Sequence, residues 1–130
     1  MSWPYPRIVA HRGGGTLAPE NTLAAIRLGA EMGFRGVEFD VMLAGDGTPV
    51  LIHDETLERT TGVKGEVART SWAELAQLDA GSWKGEKWRG ERIPSFEQAG
   101  RLCRELGLCA MQHGIMERHW LGTVSAISWC

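Results

Sequence analysis

The sequence predicts an α/β protein built as the first part of a parallel (β/α)₈ barrel, and three observations predict it. Val9 to Gly14 read Val-Ala-His-Arg-Gly-Gly, an apolar run stopping abruptly in charge and glycine, and a later apolar run ends Glu38-Phe39-Asp40. Short buried strands that carry charged groups at their C-terminal ends are how such barrels build sites. Strand and helix signals then alternate along the chain, as in a parallel sheet with crossover helices. The third observation is length: the 130 residues present compare with roughly 250 in a complete barrel, so the chain reads as truncated.

The elements follow in order. Arg7 to Ala10 forms a short first strand. Pro19, Asn21 and Thr22 open a helix that places Leu23, Ile26 and Ala30 on one face and Gly33 at its end. A second strand runs from about Gly36 to Leu43. Asp46-Gly47 is a two-residue hairpin signal, so Pro49 to His53 is expected to fold back antiparallel, with Asp40 opposite His53. Between Glu55 and Ile93 the chain is rich in glycine, threonine and charge, with one short helix opened by Ser71-Trp72-Ala73-Glu74. This stretch reads as an excursion that walls one side of the site. Ser95-Phe96-Glu97-Gln98 opens a further helix with Ala99, Leu102, Cys103 and Leu106 on one face and Gly107 past its end. A third strand begins at Leu108, but beyond Ala110 neither alternation nor a clean apolar run continues it. The chain therefore divides into 1–110, the ordered part, and 111–130, a divergent tail.

Composition sets the broad class. With 43% hydrophobic residues, 23% charged and a net charge of -2, the chain is that of a globular protein and carries no bias toward nucleic acid or an anionic membrane. Met1 to Pro6 lack a basic region followed by an apolar stretch, and no run approaches a membrane span, so a cytoplasmic protein is expected. Cys103, Cys109 and Cys130 show no Cys-x-x-Cys spacing and are expected to be reduced, with Cys103 in a helix core.

The residues that carry chemistry are His11, Arg12, Glu38, Asp40 and His53. Glu38 and Asp40 are two apart, so on a strand both carboxylates face one side, and paired oxygens suit a hard cation such as Mg²⁺ or Ca²⁺. Histidine titrates near ~6.5, so one imidazole can take a proton while another gives one, as hydrolysis of a phosphodiester requires. Arg12 offers a planar fork for phosphoryl oxygens. Any one of these has a plainer reading as a solvated strand end or surface histidine; their conjunction is what points to a site. Gly13, Gly14 and Gly15 read first as a turn that needs positive φ, and only weakly as a phosphate cradle.

Taken together, His11-Arg12-Gly13, Pro19-Glu20-Asn21-Thr22, Glu38-Phe39-Asp40 and His53-Asp54 resemble, in order and spacing, the glycerophosphodiester phosphodiesterases, and the resemblance runs from Pro4 to Ala110. It implies a TIM (β/α)₈ barrel hydrolase of lipid and glycerol metabolism. With a divalent metal, Mg²⁺ or Ca²⁺, such an enzyme converts a small-molecule glycerophosphodiester to sn-glycerol 3-phosphate and an alcohol. By the family pattern His11 and His53 are the catalytic acid/base pair, Arg12 binds phosphate, Glu38 and Asp40 are metal ligands, and Glu20 lies near the substrate. The family's third strand carries a Glu-x-Lys pair. Here Met111-Gln112-His113-Gly114 stands in its place, no Glu-x-Lys follows Ala110, and Glu117 is the only carboxylate side chain in the tail.

Three readings follow. The first is a truncated, inactive form of such an enzyme with its last twenty residues out of frame or foreign. The second is a non-catalytic fragment that binds phosphate or metal. The third is another metal-assisted barrel phosphodiesterase, of the kind acting on phosphoinositides or sphingolipids, against which the Pro19-Glu20-Asn21-Thr22 helix start counts. The oligomeric state is left open.

Overall fold

β1 (Gly36–Leu43) is the axis of the sheet, because its alternate residues serve two purposes. Val37, Phe39 and Val41 are fully buried against the helices, so by the two-residue period of a strand Glu38 and Asp40 project to the opposite side. The computed structural model describes residues 6–113 and 127–129. Its sheet has the order β2-β1-β3-β4, with β2 at Pro49–Leu51, β3 at Cys109–His113 and β4 at Ile127–Trp129. β2 is antiparallel to β1, β3 is parallel to β1, and β4 is antiparallel to β3.

Two helices cover the apolar face. α1 (Leu23–Glu31) starts where the sequence places it: the Thr22 hydroxyl accepts from the Ala25 N–H at 3.2 Å and donates to the Pro19 carbonyl at 2.8 Å. Between it and the second large helix lie two single turns, α2 (Glu58–Thr61) and α3 (Trp72–Leu75). α4 (Phe96–Leu106) has the full capping box, the Ser95 hydroxyl accepting from Gln98 N–H at 3.1 Å and the Gln98 side chain accepting from Ser95 N–H at 3.0 Å. Its Gly107 cap is left-handed at φ 68°. Phe96 meets Phe39 edge to face with ring centroids 6.2 Å apart, and Ala99, Leu102 and Cys103 bury with them. Leu106, expected on that face, is 40% exposed because the helix ends there. Burial raises the Cys103 thiol pKa to about 11, which leaves it an inert core residue.

Residues 55–93 form the expected excursion, with a core of their own that includes Leu57, Val67, Leu75 and Ile93 under Val50 and Ile52. Asp79 organises its far end. One carboxylate accepts from the N–H groups of Gly81, Ser82 and Gly90 and from the Ser82 hydroxyl, and the Ser82 hydroxyl leads the contacts that hold its pKa well below the ordinary value. Glu91 returns to α1 and accepts from the Ala24 N–H at 3.0 Å, which ties the excursion to the helix beside the site.

Several expectations are corrected. Arg7 to Ala10 is not a strand: only Ala10 pairs, in a parallel bridge to Val37, while Ile8 is 72% exposed. The hairpin loop has three residues, Gly45 to Gly47, closed by Ala44 N–H to the Thr48 carbonyl at 2.8 Å, with Gly47 at φ 86°. A type I turn followed by a left-handed glycine is the three-residue solution, and it shifts the register by one. Val41 therefore faces Leu51, and it is Ile52, not His53, whose N–H reaches the Asp40 carbonyl, at 3.1 Å. β3 continues past Ala110 to His113, paired along its length with β1 from Gly36↔Cys109 to Asp40↔His113. Its outer edge is covered at Ala110 to Gln112 by β4. Backbone pairing needs no side-chain alternation, which is why the sequence pattern missed both. Cys109, expected reduced, is disulfide-bonded. Of the divergent tail expected over 111–130, residues 114–126 and 130 lie outside the described residues. Among the described residues no helix is long and apolar enough to cross a membrane.

Candidate functional site

The site is built around the loop that leaves Ala10. Two non-glycine residues there adopt left-handed backbone, Arg12 at φ 52° and Asn21 at φ 57°. Such residues cost on the order of 1 kcal/mol or more and persist where the surroundings over-determine them. Asn21 N–H donates to the Arg12 carbonyl at 2.8 Å and Gly15 N–H to the His11 carbonyl at 2.8 Å, so the loop is closed on itself. It also lies flat on α1. A Cβ on Gly29 would collide with the Gly13 carbonyl oxygen, and Gly13 is itself left-handed at φ 95°. These glycines act in close packing and turn geometry, as the plainer sequence reading has it.

The two carboxylates of β1 receive this loop. Glu38 Oε2 accepts from the Arg12 N–H at 3.2 Å and lies 3.5 Å from His11 Nε2. Burial is the main force raising the Glu38 pKa, the neighbouring Asp40 charge adds to it, and the Arg12 N–H, His11 and His113 oppose it; the net direction is upward. Asp40 is gripped twice by Asn21, whose Nδ2 donates to Oδ2 at 3.1 Å and whose Oδ1 accepts from the Asp40 N–H at 3.0 Å. Arg12 Nε stands 3.6 Å from the same Oδ2, too far to hydrogen-bond, and it is the one buried side-chain polar atom among the described residues that has no partner. The other end of that guanidinium is engaged, Nη1 to Glu20 Oε1 at 3.1 Å.

His53 sits one residue beyond Ile52, exposed, beside a groove walled in part by Glu20, Asn21 and Thr60. Its Nδ1 is 2.7 Å from Asp54 Oδ1. Among the described residues no hydrogen bond or ion pair joins His53 directly to Glu38 or Asp40; the connection is made by Arg59 of α2. Arg59 donates to both oxygens of Asp54, Nε to Oδ2 at 2.8 Å and Nη2 to Oδ1 at 3.0 Å. It also donates to both oxygens of Glu20, from Nη1 at 2.8 Å and Nη2 at 2.9 Å. The Arg59 hydrogen bond is the largest influence on Asp54 and keeps its carboxyl far below the ordinary range. At Glu20 burial pushes the pKa up, but the hydrogen bonds and charges of Arg59 and Arg12 overcome it, and the net direction is downward. One polar chain thus runs from His11 through Glu38, Arg12, Glu20, Arg59 and Asp54 to His53.

The structure therefore brings His11, Arg12, Glu20, Glu38 and Asp40 together and reaches His53 through intermediaries. Sequence reasoning missed Arg59 altogether and named Asn21 only as a helix start. The available signals were an arginine five residues after Asp54 and an asparagine, the residue type most tolerant of positive φ, beside the helix cap. A divalent metal fits the donor set only in part. Glu38 and Asp40 supply hard oxygens, but among the described residues no group of three or more His, Cys, Asp or Glu is placed to hold a metal ion. At the paired positions of β3 stand Met111 and His113. The described residues do not make a complete metal site.

An arginine fork, two histidines and paired carboxylates at the C-terminal end of a parallel strand are suited to proton transfer around an anionic group. The comparisons agree with that chemistry. Residues 11–111 match the model of the glycerophosphoryl diester phosphodiesterase family. A glycerophosphodiester phosphodiesterase of Caldanaerobacter subterraneus is 46% identical over 73% of this chain and 39% of its own length. A putative glycerophosphodiester phosphodiesterase of Bacillus subtilis is 45% identical over 78% of this chain and 42% of its own. Among solved structures, an Oleispira antarctica phosphodiesterase in complex with the product sn-glycerol-3-phosphate superposes with TM-score 0.82 at 45% identity, covering 85% of this chain and 45% of that one. The Agrobacterium tumefaciens glycerophosphodiester phosphodiesterase gives TM-score 0.74 at 37% identity, over 82% of this chain and 45% of that one. The chain spans about two fifths of the length of these two curated relatives, and its partial barrel corresponds to part of the solved ones. With the family model matched over most of its residues and the fold of its solved relatives, this chain belongs to the glycerophosphoryl diester phosphodiesterase family.

Proposed function

We propose that this chain supplies the proton-transfer and phosphate-contacting part of a glycerophosphodiester phosphodiesterase site, for hydrolysis of glycerophosphodiesters to sn-glycerol 3-phosphate and an alcohol. The observation that carries the proposal is the unbroken polar chain from His11 to His53 across the C-terminal end of β1. The Oleispira relative bound to sn-glycerol-3-phosphate supports the choice of substrate class.

In this reading Arg12 orients the phosphoryl oxygens, its unpartnered buried Nε being a donor with capacity to spare. Glu20, held between Arg12 and Arg59, fixes that guanidinium and borders the substrate. One of His11 and His53 takes the proton of the attacking water as its oxygen bonds to phosphorus. The other gives a proton to the alcohol oxygen as the phosphorus–oxygen bond breaks. Glu38 lies against His11, its Oε2 3.5 Å from Nε2, and orients the imidazole.

The family resemblance implies a divalent metal, Mg²⁺ or Ca²⁺, with Glu38 and Asp40 among its ligands. Since the described residues do not complete that site, no step here runs through it. For the same reason residues 1–130 are proposed to be inert by themselves, with 1–110 following the family and 111–130 departing from it. A cytoplasmic location is part of the proposal.

The test is a closed barrel: residues 1–110 joined to the remaining strands of an active relative, including its Glu-x-Lys strand. Release of glycerol 3-phosphate is expected, falling by about 10²–10⁴-fold in His11→Ala or His53→Ala. Release that survives both substitutions would overturn the assignment.

A further inference from the structure

Arg59 is exposed over 42% of its side chain, yet four of its five N–H donors are committed to two carboxylates from different parts of the chain. Its guanidinium also lies over the Trp83 ring, 5.6 Å from the centroid, so an aromatic face holds the fork as well. Ion pairs that face solvent contribute little to folding, so a second bidentate grip on part-exposed Asp54, beside the one on largely buried Glu20, is more than stability asks for. What the clamp does determine is where the Asp54 carboxylate points. Asp54 is a carboxylate and only an acceptor at neutral pH, and the clamp on both its oxygens holds Oδ1 2.7 Å from His53 Nδ1, where a donor is required. A carboxylate at that distance favours the His53 tautomer with hydrogen on Nδ1, which leaves Nε2 as the nitrogen that exchanges protons.

We propose that Arg59 is a positioning residue: through Asp54 it sets the tautomer and orientation of His53, and through Glu20 it holds Arg12 in the same frame. The proposal rests on the reading of His53 as a proton-transfer group, but its geometry does not depend on turnover. α2 is anchored independently by buried Leu57 and Thr60 and closed by left-handed Gly62, so the backbone does not need the Arg59 side chain to hold its turn.

The experiment is imidazole ¹⁵N NMR on the full 130-residue chain at about pH 8, above the ordinary histidine pKa of ~6.5. In the unsubstituted chain His53 is expected as the Nδ1–H tautomer. Asp54→Asn, which removes the charged acceptor, should lower the ratio of Nδ1–H to Nε2–H by about tenfold. Arg59→Gln should move it in the same direction with little change in melting temperature, and Arg59→Lys, which keeps the charge but not the fork, should restore it only in part. A His53 already in the Nε2–H form, or a ratio unchanged in Arg59→Gln, would overturn the proposal; should Arg59→Gln fail to fold, Arg59→Lys decides. A closed barrel whose turnover ignores His53→Ala would remove the acid/base reading while leaving the tautomer result standing, so the two failures are distinguishable.

Discussion

β1 and β3 lie side by side in register, and only one of them is equipped. The parallel ladder sets Glu38 beside Met111 and Asp40 beside His113, two positions on each strand at the same height and on the same side. On the helix side the ladder sets Phe39, fully buried, beside Gln112. β1 is apolar where it meets the helices and acidic where it meets the site; β3 has a buried amide on the first face and a thioether and an imidazole on the second. Sheet geometry thus delivers both strands to the same place, while the chemistry of the site depends on side chains that pairing does not specify.

Breaking the stronger strand has the largest expected effect. Phe39→Ala removes the ring that packs on Phe96 between the two carboxylates, and should cost about 3–5 kcal/mol in urea denaturation, with the contacts of Glu38 and Asp40 lost together. Equipping the weaker strand comes next. Met111→Glu with His113→Lys places a third carboxylate beside Glu38, and Ca²⁺ or Mg²⁺ affinity by calorimetry should rise about 10- to 100-fold and fall back on adding Glu38→Gln.

A smaller effect tests the electrostatics of β1. Burial first, and then Asp40, raise the Glu38 pKa, so the folded chain holds that proton more firmly than the unfolded chain. Ionising it as pH rises past the unfolded value of ~4.3 therefore costs stability, and the cost is absent at lower pH where the group is protonated in both states. Glu38→Gln should stabilise the chain by about 0.5–2 kcal/mol near neutrality, the usual scale when a functional group is replaced, and the gain should vanish on acidification. Ser95→Ala, at the cap of the helix that leads into β3, should cost about 1 kcal/mol in thermal denaturation.

What was legible in the sequence was local. Thr22, Ser95 and Gly107 mark helix ends by bonds to residues within a turn or two, and the structure has each of them in that role. The alternation in β1 placed Glu38 and Asp40 on one face because a strand's period is fixed. What escaped depended on partners distant in sequence or on one dihedral angle. Gly47 in the left-handed region added a residue to the hairpin loop and moved His53 off Asp40. β3 extended beyond its apolar run because β1 offered it a ladder. Arg59 joined the site through Glu20, 39 residues away, and no spacing rule connects the two.

The central claim is that the site's acid/base and phosphate contacts are assembled on the β1 side while the β3 side lacks the charge to complete them. The direct measurement is release of glycerol 3-phosphate from a glycerophosphodiester by purified residues 1–130, with Mg²⁺ or Ca²⁺ present. Loss of a single electrostatic contact at a transition state costs roughly 10²–10³ in rate, and here a carboxylate and a cation are both missing from β3, so no release above background is expected. Metal-dependent release by this chain, abolished by His11→Ala, would contradict the account.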